Sequence, residues 1–394
     1  MLDVYPKPIN FMNGSEPRTD QLTVSAGTVL LSRSGTIGNL AFVGGTLSKL
    51  LVSEHAIRLE CKENAGYVYC YLKSQTAQAL IKSKKFGAVI QEIEPEHLAD
   101  IPVPNPPDEI KAKINDLVVR SFELRDESNE LLDKATAMLI EELKLPPLED
   151  FQVKRTDDGA GVNAYSVKLS ELAGRLDGSY HLPIVKAITK HLREHAAEVT
   201  TVGDKRVCKD IILPGRFKRV YVDEGQGRVF IGGKQIHELD PYGKKYLSLT
   251  HHGDRIKKQL ELAENMTLIT CSGTIGKVAL VPRHWNNWAA SQHIIRVVPA
   301  NSDVAGYLSV YLASDCGRQM ITRYTYGSVV DEIDDNHVSQ IPLPLLKDAV
   351  AQAEINRLAL KANELRYQAY VLEQEAMGVL ENDVLLTNCR RARK

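Results

Sequence analysis

Leu31-Ser32-Arg33-Ser34-Gly35-Thr36-Ile37-Gly38 returns in the second half of the chain as Thr270-Cys271-Ser272-Gly273-Thr274-Ile275-Gly276. Ser53-Glu54-His55 returns as Ser291-Gln292-His293 at the same offset. Gly66-Tyr67 matches Gly306-Tyr307, and Tyr71-Leu72 matches Tyr311-Leu312. Phe86-Gly87 with Val89, Glu92 and Ile93 matches Tyr326-Gly327 with Val329, Glu332 and Ile333. His97 and Ile101-Pro102-Val103-Pro104 match His337 and Ile341-Pro342-Leu343-Pro344. Matches this dense, with almost no gaps, mean a duplicated domain.

A heptad helix follows each copy. Ile114, Leu117, Ser121, Leu124, Ser128, Leu131, Ala135 and Met138 alternate spacings of three and four, as do Ile355, Leu358, Ala362, Leu365, Ala369, Leu372, Ala376 and Val379. Large residues hold one seam position and Ser or Ala the other, which suits two helices packing closely on each other through Leu117, Leu124, Leu131, Leu358, Leu365 and Leu372. The alternative is two amphipathic helices, each lying on its own domain. The first should end near Leu143, before Leu145-Pro146-Pro147, and Thr156-Asp157-Asp158-Gly159-Ala160-Gly161 reads as a polar linker. Val29-Leu30-Leu31, Leu268-Ile269-Thr270, Val278-Ala279-Leu280-Val281 and Ile294-Ile295-Arg296-Val297-Val298 read as strands, and residues 307–324 as a helix.

A length of 394 residues suits two or three globular units, and 43% hydrophobic with 25% charged residues is ordinary globular composition. No apolar run is long enough to span a membrane and the start lacks a signal-peptide pattern, so a cytoplasmic protein is expected. Six cysteines without CxxC spacing suggest neither a disulfide framework nor a zinc site. The net charge of −1 gives no global sign of a nucleic-acid partner. The charge is unevenly spread: residues 205–258 carry about 13 Lys and Arg against about 6 acids, while residues 108–150 carry about 6 against about 12. This fits one surface facing phosphate and another facing elsewhere, the alternative being random unevenness in a neutral protein.

Two copies of strand, Ser-Gly-Thr-Ile-Gly, strand, Gln/Glu-His, strand, Gly-Tyr-led helix, Tyr/Phe-Gly-x-Val, Ile-Pro-x-Pro and long helix resemble the two target-recognition domains and spacer helices of a type I restriction-modification specificity subunit. Arg175-Leu176-Asp177-Gly178-Ser179-Tyr180-His181 resembles the opening of such a domain. The resemblance implies a mixed α/β (α+β) fold: two repeated target-recognition domains joined by two long antiparallel coiled-coil spacer helices. It divides the chain into a first recognition domain at 1–107, a spacer helix at 108–145, a linker at 146–174, a second recognition domain at 175–346 and a second spacer helix at 347–386. The second copy has about 65 residues ahead of the point where the first begins, so the first recognition domain is expected to be truncated at its front.

The resemblance further implies a non-catalytic protein, without metal or other cofactor, that reads a bipartite double-stranded DNA target. Its partners would be methyltransferase (modification) subunits, two of them in a pseudo-twofold assembly, and restriction or translocase subunits in the full complex. The helix at 110–142 would span about 50 Å and set the gap between half-sites. The alternative is a partner-assembly scaffold with degenerate or half-site recognition.

For DNA contacts the candidates are Arg216, Lys218, Arg219, Lys234, Lys244 and Lys245, cationic residues among glycines and aromatics. Gln235 and Gln292 have the carboxamide that pairs with adenine. Ser272 and Thr274, with Arg33, Ser34 and Thr36 in the first copy, would meet DNA through the Ser-Gly-Thr-Ile-Gly loops; the same loops also read as tight turns between strands. His55 and His293 read as packed histidines.

Four motifs are set aside. Asn105-Pro106-Pro107-Asp108 has Asp where an adenine methyltransferase needs an aromatic ring for the flipped base. Glu109-Ile110-Lys111 lies at a helix start, where acids are favoured. His191-Leu192-Arg193-Glu194-His195 has zinc-peptidase spacing but no context for a third ligand. Residues 227–234 are glycine-rich but lack P-loop spacing.

Overall fold

The computed structural model describes residues 3–8, 11–12, 19–87, 91–151, 156–157, 163–172, 174–327 and 329–386. They fall into two units: Met1–Asn129 with His237–Tyr242 and Leu365–Lys394, and Glu130–Ile236 with Gly243–Glu364.

In the first unit, β1 (Val29–Ser32), β2 (Leu40–Phe42) and β3 (Ala56–Leu59) form an antiparallel sheet in the order β2-β1-β3. Val29, Leu31, Phe42 and Ile57 face a core shared with α1 (Ala65–Lys73) and α2 (Gln75–Ser83), while Leu30 and Ala41 face Val24 and Val43. Both faces of β1 are therefore buried, which is why it reads as an unbroken apolar run rather than an alternation. Next come α3 (Pro95–Ala99) and the long α4 (Asp108–Glu142). Asp108 and Glu109 sit in the first turn of α4, near its positive end. At its far end Lys144 takes φ 48°, Leu145 N donates to Ile140 O and Lys144 N to Glu141 O, a Schellman closure followed by two prolines.

The second unit takes in the end of α4 from Glu130 and continues with the ladder of β4 (Thr156–Asp157) and β5 (Asn163–Ala164). Residues 158–161 of the expected linker lie outside the described residues. Then come α5 (Pro183–His195), β6 (Glu198–Thr201), β7 (Cys208–Ile212), β8 (Tyr221–Val222), β9 (Gly227–Ile231) and β10 (Lys245–Ser248). After these, α6 (Leu249–Arg255) runs into a π-helical turn, Ile256–Leu260. The repeated part follows as β11 (Thr267–Thr270), β12 (Val278–Leu280), β13 (Ala289–Ala290), β14 (Ile294–Pro299), α7 (Ser302–Ala313), α8 (Asp315–Thr322), α9 (Asp335–Ser339), β15 (Pro342–Leu345) and α10 (Ala349–Val379). The sheets are β12-β11-β14-β7, β13-β9-β10-β8 and β15-β6, antiparallel except where β13 runs parallel to β9.

The helix expected over 307–324 is two helices. Ser314 is extended and its hydroxyl accepts from Gly317 N, which starts α8. The corner is so tight that a Cβ on Gly317 would collide with Tyr311 O.

The two long helices pair antiparallel. In the first unit Ile114 and Val118 share a core with Ala376, Leu380 and Val384, Ser121 Oγ donates to Ala369 O at 2.7 Å, and Arg366 reaches Ser128 Oγ at 3.2 Å. In the second, Ala135 and Leu139 share a core with Ile355, Leu358 and Ala359. Each unit is also clasped to its long helix in a similar way. Gly66 N donates to Asn115 Oδ1 at 3.0 Å, and Gly306 N and Tyr307 N donate to Asn356 Oδ1 at 2.8 and 3.2 Å. A Cβ on Gly306 would lie 2.5 Å from Asn356 O, so glycine is what lets the backbones meet. Beside the clasp, Tyr67 and Tyr307 hydroxyls donate to Pro104 O and Pro344 O.

In the second unit β7 lines the edge of β14, β6 pairs with β15, and Val185, Ile188 and Leu192 of α5 pack on the core. In the first unit, β3 has no neighbour beyond β1 among the described residues. Val103 is 45% exposed where its counterpart Leu343 is fully buried.

Candidate nucleic-acid interface

The Ser-Gly-Thr-Ile-Gly loops are turns linking β1 to β2 and β11 to β12. Gly35 and Gly273 both take φ +73°, which only glycine adopts freely. Thr270 Oγ1 closes the second turn by donating to Thr274 O, and Ser32 Oγ does the same to Thr36 O. The tight-turn reading holds, and the turn leaves Thr36 and Thr274 exposed at its tip.

Behind each turn lies a repeated polar cluster. Cys271 N donates to His293 O and Ile333 N to Cys271 O, just as Arg33 N donates to His55 O and Ile93 N to Arg33 O. Ser272 Oγ meets His293 Nδ1 at 2.6 Å, and Ser34 Oγ meets His55 Nδ1 at 3.1 Å. His293 is half-buried; its burial, then Arg219 and Arg216, hold its pKa below the usual histidine value. His55 corrects the expectation of a packed ring, since its side chain is 63% exposed and meets Ser34 at the surface. Arg33 is half-buried and turned inward on Glu94 at 2.5 Å and Glu92 at 3.7 Å.

The basic candidates of the second unit gather around the β13-β9-β10-β8 sheet and the irregular segment leading into β8. Arg216 is 80% exposed and pairs with Glu332 at 2.8 Å, Lys218 is exposed, and Arg219 is half-buried over the Phe230 ring at 5.4 Å. Lys245 lies over Tyr221 at 5.3 Å and Lys244 over Trp288 at 5.5 Å. Here the cationic groups themselves lie over aromatic rings, a cation–π arrangement that fixes where the charge sits. Lys234 is exposed on the turn after β9, where Gln235 Oε1 accepts from Gly232 N and closes that turn. Sequence reading missed Arg255, which lies over Phe217 at 4.9 Å; its place in the same basic window was the available signal.

Gln292 joins the cluster from the strand side. Its Oε1 accepts from Arg219 Nη2 at 2.8 Å, and its Nε2 lies 3.1 Å from His293 Nε2. Arg219, Gln292, His293 and Ser272 therefore form one chain of contacts beside the exposed cations.

Of the spacer-seam candidates, Leu124, Leu358 and Leu365 are buried, and Leu117, Leu131 and Leu372 are partly buried. The deepest residue beside Leu372 is an acid. Glu373 takes Lys73 Nζ and the Tyr69 hydroxyl on Oε1, each at 2.8 Å, and Arg125 on Oε2. Burial alone would raise its pKa; Lys73 and Arg125 outweigh that and keep it well below the usual carboxylate range. Apolar heptad counting has no means of finding it.

His191 and His195 stack at 4.1 Å, and each bonds a backbone carbonyl, Leu143 O and His191 O respectively. Among the described residues no group of three His, Cys, Asp or Glu is placed to hold a metal ion, and no helix is long and apolar enough to cross a membrane.

Residues 7–130 match the family described as "Type I restriction modification DNA specificity domain". No curated protein matches the chain. Solved structures similar to it include the type I restriction-modification S subunit from M. genitalium, at 13% identity and TM-score 0.36, covering 91% of this chain and 81% of that one. The HsdS subunit from Thermoanaerobacter tengcongensis is similar at 16% identity and TM-score 0.32, covering 91% and 80%.

Proposed function

We propose that the whole chain is a DNA-recognition subunit reading a bipartite double-stranded target, one half with each unit, a reading supported by the match of residues 7–130 to the type I restriction modification DNA specificity domain. The observation that carries this is the repeat itself: in the second unit the matched domain recurs with the same turn and with the same serine–histidine and backbone hydrogen bonds behind it. Lys218, Lys234 and Lys245, with Arg216, supply phosphate contacts, which give affinity and register. Gln292 and the turn tips at Thr36 and Thr274 face bases. The paired helices join the recognition domains and offer methyltransferase subunits their docking surface, with the chemistry left to those partners.

The test is retardation of duplex DNA by the chain in complex with its methyltransferase subunit, titrated with salt. Affinity should fall steeply between about 50 and 200 mM, and Lys218→Ala should lower the slope of log K on log salt by about one. Binding that ignores salt, or no binding by the complex, overturns the assignment.

A further inference from the structure

The position preceding the clamped histidine differs between the copies in a way that bears on base choice. It is Gln292 in the second unit and Glu54 in the first. Both project from matching backbone: the following histidine carbonyl accepts from Cys271 N at 3.0 Å in one copy and from Arg33 N at 2.9 Å in the other. The ring beyond it is held by the turn serine in both.

The partners of Gln292 leave it a defined pattern. Its oxygen accepts one hydrogen bond from Arg219, and its amide nitrogen meets His293 Nε2. A neutral histidine with its proton on Nδ1, toward Ser272, needs a donor at Nε2, and the amide supplies one N–H. One N–H and one oxygen lone pair remain, which is the complement of the adenine major-groove edge, with N7 accepting and N6–H donating. Glu54 has oxygens only. Its side chain is 73% exposed and 3.7 Å from His55. A carboxylate suits the cytosine N4 amine, the donor that base presents in the major groove.

We propose that Gln292 and Glu54 are equivalent specificity-determining residues, Gln292 selecting adenine in the half-site read by the second unit and Glu54 selecting cytosine in the half-site read by the first. This rests on the DNA-reading function proposed above. It goes beyond it in assigning one base to one residue in each half.

The test maps methylation by the complex of the full chain with its methyltransferase subunits, using wild type, Gln292→Glu and Glu54→Gln. Gln292→Glu should replace one adenine of the motif by cytosine, and Glu54→Gln should replace one cytosine of the other half by adenine. Discrimination at that base pair should change on the order of 10- to 100-fold. Gln292→Ala and Glu54→Ala should relax the same single positions and leave the rest of the motif intact. A motif unchanged by the exchanges, or lost altogether in the alanine variants while wild type retains it, overturns the proposal and leaves the DNA-reading function standing. A wild-type complex with no motif overturns that function itself.

Discussion

Asn356→Ala should unfasten the second unit from its long helix. Asn356 Oδ1 accepts from Gly306 N and Tyr307 N, and Nδ2 donates to Ser302 O at 3.0 Å, so one carboxamide bridges the first turns of α7. The residue is only 7% exposed, so water replaces these bonds poorly. Three lost hydrogen bonds amount to about 2–4 kcal/mol. The chain's two tryptophans, Trp285 and Trp288, both lie in this unit, so their fluorescence reports its unfolding. With an m-value of about 2–3 kcal/mol/M in urea, the midpoint should fall by roughly 1 M. Asn356→Asp keeps the two accepted N–H groups, loses the donor to Ser302, and should fall by less than half as much. A shift below about 0.2 M for the alanine variant would mean that the carboxamide does not hold the junction, and the reasoning would fail.

Two further outcomes concern the first unit, read by hydrogen exchange of the amides of α1. Glu373→Ala leaves Lys73 and Arg125 without their buried counter-charge and should cost about 3–5 kcal/mol; protection unchanged within about 1 kcal/mol would refute the network's role. Glu238 has its pKa raised to about 7, first by burial and then by Asp3, against an ordinary carboxylate value of 4.5. The folded state thus favours the protonated form: the stability from that proton is full below about pH 4.5 and is lost as pH rises to about 7. Glu238→Gln should remove this dependence and gain about 1–2 kcal/mol at pH 8, the full linkage value being cut by partial solvent access; equal protection of both proteins across that range would refute it.

Much of the fold was legible because it depends on local pattern. The repeat, the strands of the central sheets and the long helices follow from apolar periodicity, and α4 ends one residue short of Leu143 because its closing turn and prolines are written next to each other. The break at Ser314 was equally local, a serine cap three residues before a glycine, but the surrounding apolar residues read straight through it. The polar joints were not legible. Asn115 meets Gly66 from 49 positions away, and Glu373 meets Lys73 from 300 away. The Ile-Asn-x-Leu common to both long helices, at Ile114 and Ile355, was the one available sign of the clasps. His55 and His293 looked alike in sequence, yet their exposure differs because burial is set by neighbours: Arg219 and Gln292 crowd His293, while Glu54 leaves His55 open.

The clasp of Gly66 on Asn115 and of Gly306 on Asn356 uses backbone amides, a carboxamide and no residue of the proposed reading surface. The joint to the long helix is therefore independent of the residues proposed to contact DNA. A domain that brings its own Gly-Tyr to a helix with asparagine at the same phase would keep this joint whatever side chains its loops carry.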